Sequence, residues 1–305
     1  MILSVNIYCA QIAEILSKGK VIMVDVTSVT SVEEFIAAIK KLDGEFAYYR
    51  GEHCTFAKPL CSSALRNHKN NTDIARICMD LYRHVFSSLT VNESEHMLAF
   101  AQHHGLQTNL LDVSTNPLIA LFFACKDCAD KNGIVYCFKE ITADISAVVD
   151  GAAVFNVLEC CRYPDDNIKD TYLQECLRNR MKWFVNENNI GKWDPFEYWK
   201  EVINFQGELN EMPRTIYRPL LSFSRPVAQQ GCFIYQWFFQ ERENSVVKNT
   251  YFKEISEDEK ILVSARNKQG ILNTLDTFGI NEATVLGDYD SIVKYIKQKN
   301  RSTLL

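Results

Sequence analysis

The residue types best suited to chemistry lie closest together between Ala101 and Cys125. This segment reads AQHHGLQTNLLDVSTNPLIALFFAC, in which two adjacent histidines, a glycine and a polar stretch precede an almost wholly apolar run. A packed core accounts for the apolar run, but it does not account for the polar side chains beside it. Polar groups set between buried elements must find hydrogen-bond partners or bind a ligand. The segment therefore predicts a site formed chiefly by His103, His104, Thr108, Asp112, Ser114 and Thr115.

The histidines allow two interpretations. All six lie between His53 and His104, and His96 is seven and eight residues before the adjacent pair, so that His96 and either partner would share one helix face. Such a pair could bind a metal or serve as a base and the residue that orients it. Alternatively, His103 or His104 caps the last carbonyl groups of its helix, where the partial negative charge favours imidazolium. We favour capping over metal binding, and contact of one of the two histidines with a ligand stays open.

The cysteines do not predict a metal site. Cys125 and Cys128 have the spacing of metal ligands, but no second pair of this kind accompanies them, and Cys160 and Cys161 are adjacent. Two cysteines three residues apart on a helix pack more often than they bind zinc. The sequence therefore predicts no metal.

A second candidate group is Tyr49-Arg50-Gly51-Glu52, which comes at the end of an apolar strand. An arginine at a strand end, beside a glycine that lets a ligand approach the backbone, is suited to anion binding. Glu52 could orient Arg50 or take part in proton transfer. The alternative for Arg50 is a structural ion pair with a carboxylate.

A third group precedes a later apolar strand. Arg225 could bind a phosphate or pair with an acid, and the amide of Gln230 could order a ligand or satisfy a buried turn. The residues alone leave these alternatives open.

Helical and extended patterns succeed one another without regular alternation, which predicts an α+β fold with a mixed or antiparallel central sheet and flanking helices. Ser31 to Glu34 match a capping box that opens a helix, and Pro117 opens another, with Thr115 or Asn116 as its cap. The patterns predict helices over about 72–88, 92–105, 117–129, 152–207 and 267–278, and from Asp290 onwards. They predict strands over 46–49, 133–138, 231–239, 249–255 and 260–264.

Composition limits the class of protein. The net charge is −5 and the pI is about 5.8, so nothing attracts the chain as a whole to nucleic acid or to an anionic membrane. No apolar run approaches the ~20 residues that span a bilayer. The 11 cysteines are odd in number and irregularly spaced, which indicates reduced thiols and a cytoplasmic protein. Nucleotide hydrolases with a glycine-rich phosphate loop and α/β hydrolases are excluded because their motifs do not occur.

Taken together, these segments resemble the FRG domain, which is named for a Phe-Arg-Gly motif. Tyr49 to Glu52 match that motif with tyrosine in place of phenylalanine, and Ala101 to Ala124 are similar to the family's stretch of Gln-His-x-Gly-Leu, Leu-Leu-Asp, Thr-Asn-Pro and Ala-Leu-Phe-Phe-Ala. Two further blocks, at 225–233 and 279–290, extend the resemblance over about 30–299. The chain departs from the pattern at Gln107-Thr108-Asn109 and Val113-Ser114, where the family usually has Pro-Thr-Arg and Trp-Thr. The resemblance implies an N-terminal extension (1–29), one domain (30–299) with a helical insertion at about 152–207, and a tail (300–305).

The layout is also similar to that of ADP-ribosyltransferases. There an arginine at an early strand end binds the NAD phosphate or ribose, a Ser-Thr element shapes the nicotinamide pocket, and a glutamate on a late strand stabilises the ribosyl centre. Arg50 and Ser114-Thr115 correspond by position, whereas the late strand is preceded by Gln229 and Gln230 and the next acid is Glu241. Either Glu52 or Glu241 replaces the missing glutamate, or the domain binds a nucleotide without chemistry.

The resemblance thus implies a nucleotide ligand, with NAD as substrate and a protein as a possible acceptor, in a toxin or defence effector of a bacterium or phage. The expected catalytic residues are Glu52 and His104. The expected binding residues are Arg50, Gly51, His103, Thr108, Asp112, Ser114, Thr115, Arg225 and Gln230. The alternative is a non-catalytic module that senses a nucleotide or a protein partner.

Overall fold

The computed structural model describes residues 28–66, 73–146, 212–219, 227–243 and 246–302. These residues form an α+β fold, as predicted, in which helices flank a seven-stranded sheet and a two-stranded ribbon stands apart. The predicted helical region at 152–207 and the chain on either side of Arg225 lie outside the described residues.

The sheet is mostly antiparallel, and its strands do not adopt the order of the chain. The strands are β1 Phe46–Glu52, β2 Leu110–Ser114, β3 Gly133–Lys139, β4 Ala143–Asp144, β5 Thr215–Tyr217, β6 Gly231–Tyr235, β7 Phe238–Glu243, β8 Val246–Phe252 and β9 Glu259–Val263. The sheet order is β4-β5-β6-β2-β1-β3-β9, and the ribbon is β7-β8. Within the described sheet, only β4 and β5 pair in parallel.

The α-helices of the described residues are α1 Val32–Lys41, α2 Ser63–Arg66, α3 Ile74–Val85, α4 Val91–Glu95, α5 Met97–His103, α6 Pro117–Cys125, α7 Lys268–Thr277, α8 Glu282–Leu286 and α9 Tyr289–Ser302. The predicted capping residues of two helices are confirmed. The Ser31 side chain accepts a hydrogen bond from the Glu34 backbone at α1, and the Asn116 side chain accepts one from the Leu118 backbone at α6. Both caps satisfy backbone donors that a helix start leaves without a partner.

Two predicted segments differ from the structure, and one strand was not predicted. The helix expected over 92–105 is two helices, because His96 leaves helical geometry with φ −109° and ψ 36°. The strand expected over 231–239 is divided between β6 in the sheet and β7 in the ribbon, with Gln236 and Trp237 between them. Strand β2 was not predicted, because Asp112 interrupts its short run of apolar residues, and the run then shows neither the periodicity of a helix nor that of a strand.

The core on one side of the sheet consists of α1, α6 and α7 packed against β1 and β3. Helix α6 lies so close to β1 that a Cβ added at Gly51 would be 1.8 Å from the Ala120 carbonyl oxygen. A Cβ added at Gly133 on β3 would be 2.2 Å from the Ala124 carbonyl oxygen. Glycine at these two positions therefore allows the backbone of α6 to pack directly against the sheet.

In the described part of the chain, no helix combines the length and the apolar character that crossing a bilayer requires.

Candidate functional site

A cleft of about 310 Å³ lies between the end of β1, strand β2 and helix α6. Strands β1 and β2 are in register only at Tyr49 and Ser114, whereas β1 pairs with β3 as far as Glu52. Beyond Tyr49, β1 is therefore no longer paired with β2, and the residues at the end of β1 line the space between the two strands. The predicted site residues that line this cleft are Arg50, Gly51, Glu52, Asp112 and Ser114.

Arg50 bridges the two strands at the point where their pairing ends. Its Nη1 donates to the Asp112 carbonyl oxygen at 2.8 Å and lies 4.0 Å from the Asp112 carboxylate. Its Nε donates to Glu52 Oε1 at 3.1 Å. The side chain is 16% exposed, so one edge of the guanidinium is fixed by the protein while the group still borders the cleft.

Glu52 is a buried carboxylate with one committed oxygen and one unsatisfied oxygen. Its side chain is 1% exposed, and Oε1 accepts from Arg50 and, at 3.4 Å, from the Leu60 backbone. Oε2 has no hydrogen-bond partner among the described residues. A buried carboxylate oxygen without a donor is destabilising. This oxygen can therefore accept from water, from a ligand or from the nearby Tyr136 phenol, which is within hydrogen-bond reach of the Glu52 side chain.

Tyr136 on β3 lies opposite Arg50 in the sheet register and close to the buried carboxylate. Burial raises the pKa of the Tyr136 phenol well above its usual range, and the negative charge of Glu52 raises this pKa further. The phenol therefore keeps its proton, and it remains a neutral hydrogen-bond donor beside the site.

Two further cations line the cleft, and sequence reasoning missed both. Arg66 donates from Nη2 to the Cys61 carbonyl oxygen at 2.8 Å, its guanidinium lies 4.7 Å from the centre of the Phe56 ring, and its buried Nε has no described partner. Lys126, just after α6, is 3.9 Å from Glu282. Arg66 lies in no motif, and Lys126 lies between Cys125 and Cys128 in a motif that was considered only for metal binding.

Asp112 and Ser114 play different parts in the cleft. Asp112 is 61% exposed, and its Oδ1 accepts from Gln102 Nε2 at 3.0 Å. The Ser114 hydroxyl donates to the Gln229 carbonyl oxygen at 2.7 Å and accepts from the Asn116 backbone at 3.0 Å. Ser114 thus fixes the start of α6 against the loop before β6, while Asp112 keeps a solvent-facing carboxylate.

The other predicted site residues in the described part of the chain do not line the cleft. Thr108 is fully buried, and its hydroxyl donates to Gln102 Oε1 and accepts from the Leu110 backbone. His103 and His104 lie at the end of α5, where their rings are 5.0 Å apart. Their roles in ligand contact stay predictions.

Thr115 and Gln230 meet at the turn before β6. The Thr115 backbone donates to the Gln230 carbonyl oxygen at 3.1 Å, and Gln230 has a φ of 45°. The neighbouring Gln229 is the residue of this turn that lines the cleft. Arg225 lies outside the described residues.

Comparison with family models confirms the sequence resemblance over part of the chain. Residues 45–133 match the FRG domain. The match includes β1, β2, α6 and the cleft residues they carry, whereas Gln229 lies beyond it. No curated protein matches the chain, and no solved structure does.

Proposed function

We propose that the protein, through the FRG domain matched at residues 45–133, binds a nucleotide of the NAD class in this cleft and acts as an ADP-ribosyltransferase-like enzyme or NAD glycohydrolase. The observation that carries the proposal is the buried carboxylate of Glu52, which borders the cleft beside Arg50 and whose Oε2 accepts no hydrogen bond of good geometry from the described residues. A buried carboxylate held in place by an arginine, in a cleft with further cations, is suited to a ligand that has both hydroxyl and phosphate groups.

The cations of the cleft suit a diphosphate. Arg50, Arg66 and Lys126 line it together with three carboxylates, those of Glu52, Asp112 and Asp127, so a diphosphate would bind to the cationic groups and away from the acids. The buried Nε of Arg66 has no acceptor among the described residues and can donate to a phosphate oxygen. Arginine binds phosphate oxygens through charge-assisted, often bidentate hydrogen bonds. The rings of Phe56 and Phe123 supply apolar surface against which a base can pack. The volume is at the lower end of the ~300–1,000 Å³ range of small-molecule pockets, so we propose that the cleft holds one half of a dinucleotide.

Glu52 has the properties that cleavage of the glycosidic bond requires. When the bond between ribose and nicotinamide breaks, its electron pair leaves with nicotinamide and positive charge develops on the ribose. A preorganised carboxylate stabilises this charge, and Oε2 can also accept from a ribose hydroxyl. Water or an acceptor group then forms the new bond and loses its proton to solvent.

One observation favours binding without turnover as the second candidate function. On the side of β6, the residue that lines the cleft is Gln229, whose amide donates to the Val285 carbonyl oxygen at 3.1 Å. A neutral amide stabilises a ribosyl cation less than a carboxylate does. A domain of this kind would sense the nucleotide for a protein partner. Either function suits a cytoplasmic toxin or defence effector with reduced thiols.

The proposal is tested with NAD and four variants: Arg50→Ala, Arg50→Lys, Glu52→Gln and Arg214→Ala. Protection by NAD against thermal unfolding reports binding, and release of nicotinamide or labelling of protein reports turnover. We expect Arg50→Ala to abolish binding and Arg50→Lys to recover only part of it. Glu52→Gln should bind NAD but lower turnover by about 10²–10³-fold. Arg214 does not line the cleft, and it pairs with Asp258 at 2.7 Å. Arg214→Ala should therefore bind and turn over NAD as the wild type does.

Protection without nicotinamide release in the wild-type protein would support the sensor. Absence of both effects, or unchanged NAD binding by Arg50→Ala, would contradict a nucleotide site in this cleft.

A further inference from the structure

A cluster of three metal-ligating side chains lies beside the cleft. One nitrogen of His53 and the Sγ atoms of Cys54 and Cys128 all lie within 4.8 Å of one another. His53 and Cys54 come directly after β1, whereas Cys128 belongs to the loop after α6. The sequence separates these segments by more than 70 residues, so their spacing gives no metal motif.

The donors and their separation fit zinc. Zn²⁺ prefers thiolate and imidazole ligands in a tetrahedron, with Zn–S near ~2.3 Å and Zn–N near ~2.0–2.1 Å. Ligand atoms at these distances are about 3.4–3.8 Å apart, so small side-chain rotations would bring the three atoms into position. Two thiolates also neutralise the charge of the ion.

The two segments are already held together without a metal. Lys268 is 1% exposed, and its Nζ donates to the carbonyl oxygens of His53 at 2.6 Å, Asp127 at 3.0 Å and Cys128 at 3.0 Å. This ammonium therefore fixes the backbone of both ligand-bearing segments. A site preorganised in this way does not have to order the chain when the ion binds. The positive charge of Lys268 is compatible with a complex of one Zn²⁺ and two thiolates, because this complex is neutral.

We propose that His53, Cys54 and Cys128 bind one Zn²⁺ ion, with water in the fourth position. Three protein ligands and an open position are typical of zinc sites that react or exchange, rather than of closed structural sites. The ion would join the segment directly after Glu52 to the loop after α6. Because His53 and Asp127 line the cleft, zinc would also stiffen one wall of the ligand site. Cys125, which has metal-ligand spacing to Cys128 in the sequence, is instead the last residue of α6 and is buried in the core.

The test uses the untagged full chain, purified with reductant and loaded with Zn²⁺ or Co²⁺. We expect one zinc per chain and, with Co²⁺, the absorption of a tetrahedral thiolate complex. Removal of an outer partner of a metal site lowers affinity about 10- to 100-fold, so His53→Ala, Cys54→Ser and Cys128→Ser should each lower it at least as much. Cys125→Ala is the matched control, and it should keep wild-type zinc content and the Co²⁺ spectrum.

Thermal unfolding of each variant separates a lost ligand from a lost fold. Cys128 is only half-buried in a loop, so Cys128→Ser should fold, and zinc should stabilise the wild-type protein but not this variant. Equal zinc affinity in folded Cys128→Ser and wild type would overturn the proposal. A Cys54–Cys128 disulfide in the reduced preparation, with no zinc bound, would overturn it as well. None of these readouts requires NAD, so the result is independent of the proposed function.

Discussion

At the scale of single residues, the cleft depends on charges that the fold removes from solvent. Glu52 and Lys268 are both almost completely buried. Glu52 bonds to nearby residues of the chain, whereas Lys268 donates to carbonyl groups at least 140 residues away. Burial lowers the pKa of Lys268 below its ordinary value, while nearby thiols oppose this shift. The sequence around Lys268 is polar on both sides and gives no indication of a buried cation.

Replacement of Lys268 by methionine should destabilise the protein. The side chain would keep its approximate length, but three carbonyl groups would lose their common donor. Each buried group left unsatisfied costs about 1–3 kcal/mol, so we expect the free energy of unfolding to decrease by at least about 2 kcal/mol. Urea unfolding measures this change.

Lys260→Met is the matched control. Lys260 is 58% exposed, and its ion pair with Glu257 lies at the surface. Its loss should change the free energy of unfolding by no more than about 0.5 kcal/mol. If the two variants were equally stable, the three hydrogen bonds of Lys268 would contribute nothing.

At the scale of elements, helix α6 and strand β1 form the unit that places the site. The apolar run from Leu118 onwards was correctly predicted as a buried helix, and of the two caps expected, Thr115 or Asn116, it is Asn116 that caps it. Gly51 was interpreted as an opening for a ligand, and the structure places the backbone of α6 against it. Both interpretations need a residue without a side chain, so the sequence could not separate them.

Gly51→Ala should therefore disrupt the packing of α6 on β1. The added methyl group would meet the Ala120 carbonyl oxygen at 1.8 Å, and main-chain atoms cannot rotate away. We expect a loss of about 3 kcal/mol or more in the free energy of unfolding, because the helix must move. Denaturant unfolding gives the value.

Gly270→Ala provides the opposite expectation in the same experiment. Gly270 lies within α7, and a Cβ there would contact nothing within 4 Å. Alanine restricts the unfolded chain and favours helix, so this variant should gain about 0.5–1 kcal/mol. A Gly51→Ala protein as stable as wild type would show that α6 can shift at little cost.

At the scale of the whole molecule, the core combines apolar side chains with buried thiols. Burial raises the pKa of Cys78, Cys125, Cys137 and Cys232 from an ordinary value of 9.0 to about 12. These thiols stay neutral in the folded protein at a pH at which the unfolded chain ionises. Because these thiols lie in three separate clusters of the core, the stability of the whole molecule should depend on pH in the alkaline range.

Stability should fall as pH rises from about 9 towards 12. In this window the unfolded state binds fewer protons than the folded state, and each thiol then contributes up to about 1.4 kcal/mol per pH unit. Lys253 and Lys268 act in the opposite direction because burial lowers their pKa, but the thiols outnumber them. Urea unfolding in reductant should give a free energy at least about 2 kcal/mol lower at pH ~10 than at pH ~8.

Cys137→Ala tests the origin of this effect. Cys137 is fully buried on β3, so the variant should be less stable at both pH values. The decrease in its free energy of unfolding between the two pH values should nevertheless be smaller than in the wild type, by the contribution of one thiol. Equal stability of the wild-type protein at both pH values would contradict neutral burial of the thiols.

The sequence by itself determined the local elements and the chemical character of the site. Capping residues and apolar periods predicted α1 and α6, and the mixture of elements predicted the α+β class, because these properties depend on neighbours in the chain. Arg50, Glu52 and Asp112 were recognised from residue type and context. The FRG domain match at 45–133 includes all three.

Only the tertiary structure decided which of these residues meet. The pairing of β1 with β2 ends near Tyr49, where the cleft opens, and Oε2 of Glu52 accepts no hydrogen bond of good geometry from the described residues. His103, His104 and Thr108 do not line this cleft. Arg66, Lys126 and Lys268 joined the site, or its neighbourhood, through contacts that no motif records. Such contacts depend on strand order and on the close approach of α6, which arise from packing over the whole chain rather than from local sequence.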